Sequence, residues 1–124
     1  MKRSRVGSGA PWEATVGYSR AVRVGNIVTV AGTTAPGADA YDQAKAALAI
    51  IAESLRQLGA TMHDVVRTRM FVCNMDDSDA VGRAHGEAFG EIRPAATMVE
   101  VRKLIRPDLL VEIEADAIVD ESTS

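Results

Sequence analysis

Cysteine is almost missing from this 124-residue sequence, where Cys73 stands alone. One thiol closes no intramolecular disulfide and builds no paired-cysteine metal motif, so a reducing compartment is expected. Positive charge is not in excess either. The net charge is −3, which gives no global basic field to hold a phosphate backbone, and no nucleic-acid partner is expected. The apolar runs are far too short to span a bilayer, so no membrane partner is expected. The basic start Met1-Lys2-Arg3-Ser4-Arg5 leads into Gly7-Ser8-Gly9-Ala10-Pro11 rather than an apolar stretch. It therefore does not read as a signal peptide, and a cytoplasmic location is expected. His63, His85 and Cys73 lack metal-ligand spacing, so no metal is expected.

What is present suits one domain with a single core. Hydrophobic residues make up 47% and charged residues 25%, an ordinary globular balance. Residues 1–10 and 120–124 read as loose ends around a domain at 11–119. Val22-Arg23-Val24 and Ile27-Val28-Thr29-Val30 flank Gly25-Asn26, the pattern of a tight hairpin. Gly32 to Gly37 reads as a loop. From Tyr41 to Leu58, the residues Ala44, Leu48, Ile51, Leu55 and Leu58 form one apolar stripe, which predicts a helix stopped by Gly59. Val65 to Cys73 alternates and is β-branched, so a strand is expected. Asp76, Asp77 or Ser78 is expected to cap a second helix running to about Gly90. Its apolar positions are Val81, Ala84, Ala88 and Phe89. Strands at Thr97–Val101 and Leu110–Ile118 follow, separated by a turn at Arg106-Pro107-Asp108. The predicted class is α+β, in the order β-β-α-β-α-β-β, with two helices on one face of a sheet.

Alternation divides the strands into faces. Glu112, Glu114 and Asp116 share one side of the last strand, opposite Val111, Ile113 and Ala115. Arg67, Arg69 and Phe71 share a side of theirs, and Ala96, Met98, Glu100 and Arg102 share another. The sheet face away from the helices thus mixes charges with apolar groups. It is either a solvated face with weak surface ion pairs or a subunit interface that sequesters paired charges.

Several segments, in order and at compatible spacing, resemble one family. They are Ala10-Pro11, Gly17 to Val22, Gly25 to Val28, Ala31-Gly32-Thr33, Leu55 to Gly59, Asp64 to Thr68, Arg93-Pro94-Ala95, Val99-Glu100-Val101 and Val111 to Ala115. The chain resembles the Rid (reactive-intermediate deaminase, or YjgF) family over roughly residues 10–119. The resemblance implies a chorismate-mutase-like fold with a mixed sheet, assembled as a homotrimer with clefts between adjacent subunits. In the best-studied branch those clefts hydrolyse imines and enamines to a ketone and ammonia, with no metal or organic cofactor. The substrates there are 2-aminoacrylate and its imine, shed by pyridoxal-phosphate enzymes. That branch grips the substrate carboxylate with the arginine of a Pro-Ala-Arg-Ser motif. Here the motif reads Pro94-Ala95-Ala96-Thr97, with Met98 where that branch often has Cys. Gly82 stands for its Asn, His85 for its Tyr, and the loop before Pro94 is short. The chain thus resembles a branch without the bidentate clamp, a large change in orientation and energy.

On this resemblance Glu112 is the catalytic candidate, the carboxylate that positions the attacking water. Its structural alternative is a partner for Arg67 or Arg69. Tyr18, Gly32 and Thr33 correspond to cleft-lining positions, and Ala96 and Met98 to the altered clamp. His85 is either a core histidine on the helix stripe or a cleft residue exchanging protons near neutral pH. Arg69 or Arg93 is a substitute clamp, or Arg69 an ion-pair partner of Glu112 or Glu114. Cys73 is expected to act as a small buried hydrophobe, and Trp12 to pack on the hairpin or rim the cleft. The leading functional reading is an imine or enamine hydrolase for a small-molecule metabolite other than 2-aminoacrylate. A non-catalytic ligand-binding trimer comes second. A ribonuclease, disfavoured by the acidic charge and the absence of a histidine pair, comes third.

Overall fold

Val28 and Val30 on one strand, Ile113 and Ala115 on the next, and Ile51 and Leu55 on a helix are all essentially without solvent contact, and they fix the architecture. In the computed structural model, residues 1–120 are described. Six strands run in the order β1-β2-β3-β6-β4-β5. They are β1 (Arg3–Val6), β2 (Ala21–Val24), β3 (Ile27–Thr33), β4 (Val65–Val72), β5 (Ala95–Glu100) and β6 (Val111–Ile118). Helix α1 (Ala40–Gln57) connects β3 to β4, and α2 (Ser78–Phe89) connects β4 to β5. β4 and β5 are parallel and the other pairings antiparallel, with β6 inserted between β3 and β4. Both helices pack on one face of this mixed sheet, as the apolar stripes of α1 and α2 predict.

Local chemistry sets the element ends. Asp39 caps α1 by accepting a hydrogen bond from the Asp42 amide at 2.8 Å. Gly59, at φ +80°, closes the helix, and the Ala60 amide donates back to the Leu55 carbonyl at 2.9 Å. The Arg23 guanidinium also donates to the Leu58 carbonyl at 2.8 Å. Buried Gln43 ties two loops together. Its amide nitrogen donates to the carbonyls of Asp108 (2.9 Å) and Gly37 (3.3 Å), and its oxygen accepts from the Leu110 amide (2.8 Å).

Three expectations are corrected. Residues 1–10 are not simply loose, because Arg3–Val6 pairs with β2, Arg3 opposite Val24 and Val6 opposite Ala21. The order is therefore β-β-β-α-β-α-β-β. An edge strand needs backbone pairing more than apolar side chains, and only Val6 packs against the core. Gly32 and Thr33 belong to β3, at a register irregularity between Val30 and Thr33, rather than to the following loop. Finally, α2 is entered through a tight turn at Met75–Asp77 that Asn74 caps, and Asp77 makes no side-chain cap. Of the tail expected to be loose, residues 121–124 lie outside the described residues. Among the described residues, no helix is long and apolar enough to cross a membrane.

Candidate functional site

The sheet face away from the helices carries Arg67, Arg69 and Phe71 of β4 opposite Asp116, Glu114 and Glu112 of β6. Arg69 sits 3.2 Å from both a Glu114 and an Asp116 carboxylate oxygen. The structure thus brings Arg69 to Glu114, one of its two expected partners, and to Asp116, and not to Glu112. Arg93 is exposed, holds a left-handed backbone (φ 55°) and donates to the Gly90 carbonyl at 3.1 Å. It lies at the entry to β5.

Glu112 is half-buried and packs against Gly32. A Cβ added at Gly32 would lie 2.2 Å from the Glu112 carboxylate, so only glycine leaves room for that carboxylate where it stands. Burial pushes the Glu112 carboxyl up from its ordinary value, Glu114 adds to the rise, and Arg20 opposes it. Arg20 donates to the carbonyls of Gly32 (2.8 Å) and Ala31 (3.2 Å), which the irregularity in β3 leaves accessible. Its Nε is buried without a hydrogen-bond partner among the described residues. Arg20 thus holds the strand backbone under Glu112 while placing a positive charge near it. This role of Arg20 is not visible in the sequence. A lone arginine among small residues at a hairpin entry carries no signal until the register places it beside Gly32.

Tyr18 follows a single wide helical turn, Glu13–Gly17, which Gly17 ends at φ +89°. It lines a cavity of about 590 Å³ on this same face, with Val22, Thr29 and Ala31 as the floor. Gly32 and Glu112 lie outside the cavity lining, and the connection runs through Arg20, which bonds the Gly32 carbonyl and feels the charges of both Tyr18 and Glu112. Thr33 does not share this connection. Its side chain is fully buried, and its hydroxyl donates to the Ala31 carbonyl at 2.8 Å.

The remaining candidates gather elsewhere. Ala96 lies in register with Thr68, and Met98 with Met70. Thr68 and Met70 are buried toward the helices, so Ala96 and Met98 point to the helix side of edge strand β5 and not to the Glu112 side. Within one chain the expected site residues therefore form two groups, and Ala96 and Met98 do not join the charged face, because parallel pairing with β4 sets which side they take. His85 belongs to this second group. Its Nε2 is 2.8 Å from the Thr68 hydroxyl, its ring lies 4.7 Å from that of Phe89, and burial lowers its pKa. Cys73 is half-buried with its thiol 3.5 Å from the Leu109 carbonyl, and Trp12 is half-exposed. Among the described residues, no cluster of His, Cys, Asp and Glu is arranged to hold a metal ion.

A six-stranded mixed sheet with two crossover helices on one face, and a half-buried carboxylate against a glycine on the other, defines an α+β domain of the Rid type. Comparison with known proteins agrees. The family model described as Endoribonuclease L-PSP matches residues 8–119. The crystal structure of Rv2704 from Mycobacterium tuberculosis, described as a member of the YjgF/YER057c/UK114 family, is 54% identical with a TM-score of 0.93. The alignment covers 95% of this chain and 100% of that one. The uncharacterized protein SCO2049 of Streptomyces coelicolor is 41% identical, over 91% of this chain and 90% of its own. A 2-iminobutanoate/2-iminopropanoate deaminase of Dermatophagoides farinae is 32% identical, over 83% of this chain and 86% of its own. The chain belongs to the Rid/YjgF family, as its sequence motifs imply.

Proposed function

We propose that this chain is a cofactor-independent imine or enamine hydrolase, acting on a small metabolite at clefts between the subunits of a cytoplasmic homotrimer. The carrying observation is Glu112, a half-buried carboxyl with a raised pKa, packed on a glycine and faced by Arg20. In this reading Glu112 takes a proton from water as the water oxygen bonds to the C=N carbon, an enamine first tautomerising to the imine. That proton passes to the nitrogen to give a neutral carbinolamine, and Glu112 then takes the carbinolamine hydroxyl proton and delivers it to the nitrogen as the C–N bond breaks, so that a ketone and ammonia leave. A carboxyl above its usual range serves both steps better than an ordinary one.

The two separated groups of candidate residues support the assembly. Ala96, Met98 and His85 meet Glu112 and Tyr18 only if the edge strand of one copy adjoins the open face of another. Light scattering is expected to give a trimer, and a stable monomer at micromolar concentration overturns the shared-cleft arrangement.

The substrate differs from 2-aminoacrylate, because the clamp position is Ala96. A lost charge-assisted contact costs about 1.5–3 kcal/mol, roughly ten- to a hundredfold in rate. Coupling a lyase that releases 2-aminoacrylate to pyruvate formation tests this. Acceleration equal to that of an arginine-bearing relative refutes it. In that event loss of the activity in Arg69→Ala identifies Arg69 as the substitute clamp, despite its ion pairs. The same vacancy favours the second reading, a non-catalytic ligand-binding trimer. Absence of turnover across a panel of imines, together with saturable binding of one of them, selects it.

A further inference from the structure

The cavity in front of Tyr18 holds two arginines that the reaction above does not use. Arg3 and Arg5 lie two residues apart on β1 and project to one side. Register carries that side across the sheet, with Arg5 opposite Val22, Val22 opposite Thr29 and Thr29 opposite Asp116. Both arginines therefore stand on the Glu112 side, and both line the 590 Å³ cavity with Tyr18, Ser19 and Thr29. Among the described residues, neither guanidinium makes a hydrogen bond or an ion pair. The one acid in the lining, Glu13, is held by Ser8, whose amide donates to it at 2.7 Å. Glu13 also lies in the field of Arg5, yet two arginines against one carboxylate leave the cavity wall net positive, with guanidinium donors free of hydrogen bonds, the geometry that receives a carboxylate or a phosphate.

We infer that Arg3 and Arg5 form a subsite for an anionic group carried at the far end of the ligand from the reacting carbon. The inference deepens the hydrolase reading and rests on it in placing that carbon at Glu112. β1 and β3 are two strand spacings apart, about 10 Å, and Gly32 lies three residues beyond Thr29, about another 10 Å along the strand. An anion at Arg5 is thus well separated from a carbon at Glu112. The ligand is elongated, unlike 2-aminoacrylate, whose carboxylate adjoins the reacting carbon. This arrangement also gives the chain an orienting charge that the Ala96 position does not supply.

Titration calorimetry on the intact protein tests it with two probes, glutarate and inorganic phosphate. At least one is expected to bind saturably, and binding is expected to weaken as salt rises. Arg3→Gln/Arg5→Gln is expected to weaken it about tenfold or more, whereas Arg3→Lys/Arg5→Lys restores part of it. Preference for glutarate assigns the subsite to dicarboxylate-like ligands, and preference for phosphate to phosphorylated ones. Circular dichroism confirms that the variants fold, which an exposed edge strand should allow. Binding of neither probe, or equal binding to the glutamine variant, overturns the inference. The hydrolase reading fails separately. If Glu112→Gln keeps its turnover while probe binding still depends on the arginines, the subsite stands and that reaction falls.

Discussion

On the helix side of the sheet, β4 and β6 present Thr68, Met70 and Val72 beside Val111, Ile113 and Ala115, all buried by the chain's own helices. On the opposite side the same strands present Arg67, Arg69 and Phe71 beside Glu112, Glu114 and Asp116. Arg69 there keeps 42% of its side-chain exposure, Glu114 32% and Asp116 31%, so their ion pairs are open to water within one chain. One face is finished by intramolecular packing, and the other holds polar groups at half depth. A half-covered face is where a carboxyl acquires an unusual pKa while still reaching a ligand. The helix side shows the opposite device. There burial disfavours the charged form of a histidine, and its ring nitrogen is joined to a buried threonine.

The comparison breaks first at Glu112. Glu112→Gln is expected to lower kcat by about a hundredfold to ten-thousandfold, the scale of a general acid–base group, and to leave the assembly intact. A change within about threefold of wild type is too small for such a group and ends its catalytic role. Gly32→Ala should come close behind. The added carbon displaces the flexible end of Glu112 rather than backbone, so activity is expected to fall about a hundredfold, as for an ångström-scale misplacement. Thermal unfolding should move little by comparison, and a large loss of stability with normal activity in the surviving fraction would reverse the assignment.

The two faces should also answer pH differently. Glu112 titrates higher in the folded chain than in the unfolded one, so it contributes stability that is present below the usual carboxylate range. That contribution is lost as pH rises through its raised value. His85 titrates lower when folded, so its contribution is present above its usual value and lost as pH falls through the folded one. Denaturant titrations should therefore show Glu112→Gln altering the slope above the usual carboxylate range and His85→Gln altering it below neutrality. The acid limb of kcat/KM should also lie above that range. A limb at the ordinary carboxylate value separates Glu112 from catalysis. Smaller still, Thr68→Val removes the hydroxyl from His85 and is expected to cost about 0.5–1.5 kcal/mol. Arg69→Ala, which breaks exposed pairs, should cost at most about 1 kcal/mol.

Much of this contrast is legible in the sequence. The α1 stripe is read in full, because helical spacing concentrates Ala44, Leu48, Ile51 and Leu55 on one side and all four are buried. The β6 alternation is equally clear, since one side is entirely apolar and the other is acidic at Glu112, Glu114 and Asp116. Three features stay hidden for physical reasons. β1 is built of Arg3-Ser4-Arg5-Val6, and an edge strand held by backbone pairing leaves little pattern to detect. On β5 both sides mix small, apolar and polar residues, so only the parallel register with β4 reveals that Ala96 and Met98 face the helices. Arg20 acts through two carbonyls freed by a strand irregularity, and no side-chain pattern announces backbone geometry.

The Gln43 amide has a consequence for how the molecule breathes. The stretch at residues 101–110 is a long connection without regular structure, and one side chain on α1 fastens its end to the loop before that helix. Opening either loop removes partners from the other, so the two should exchange their amide hydrogens in step, as one unit. The Leu110 amide, bonded to a side chain rather than to a ladder, then becomes a clock for the loosening of α1 from the sheet. Gln43→Leu would set that clock running fast in both loops while the centre of the sheet, around Ile113, stays protected.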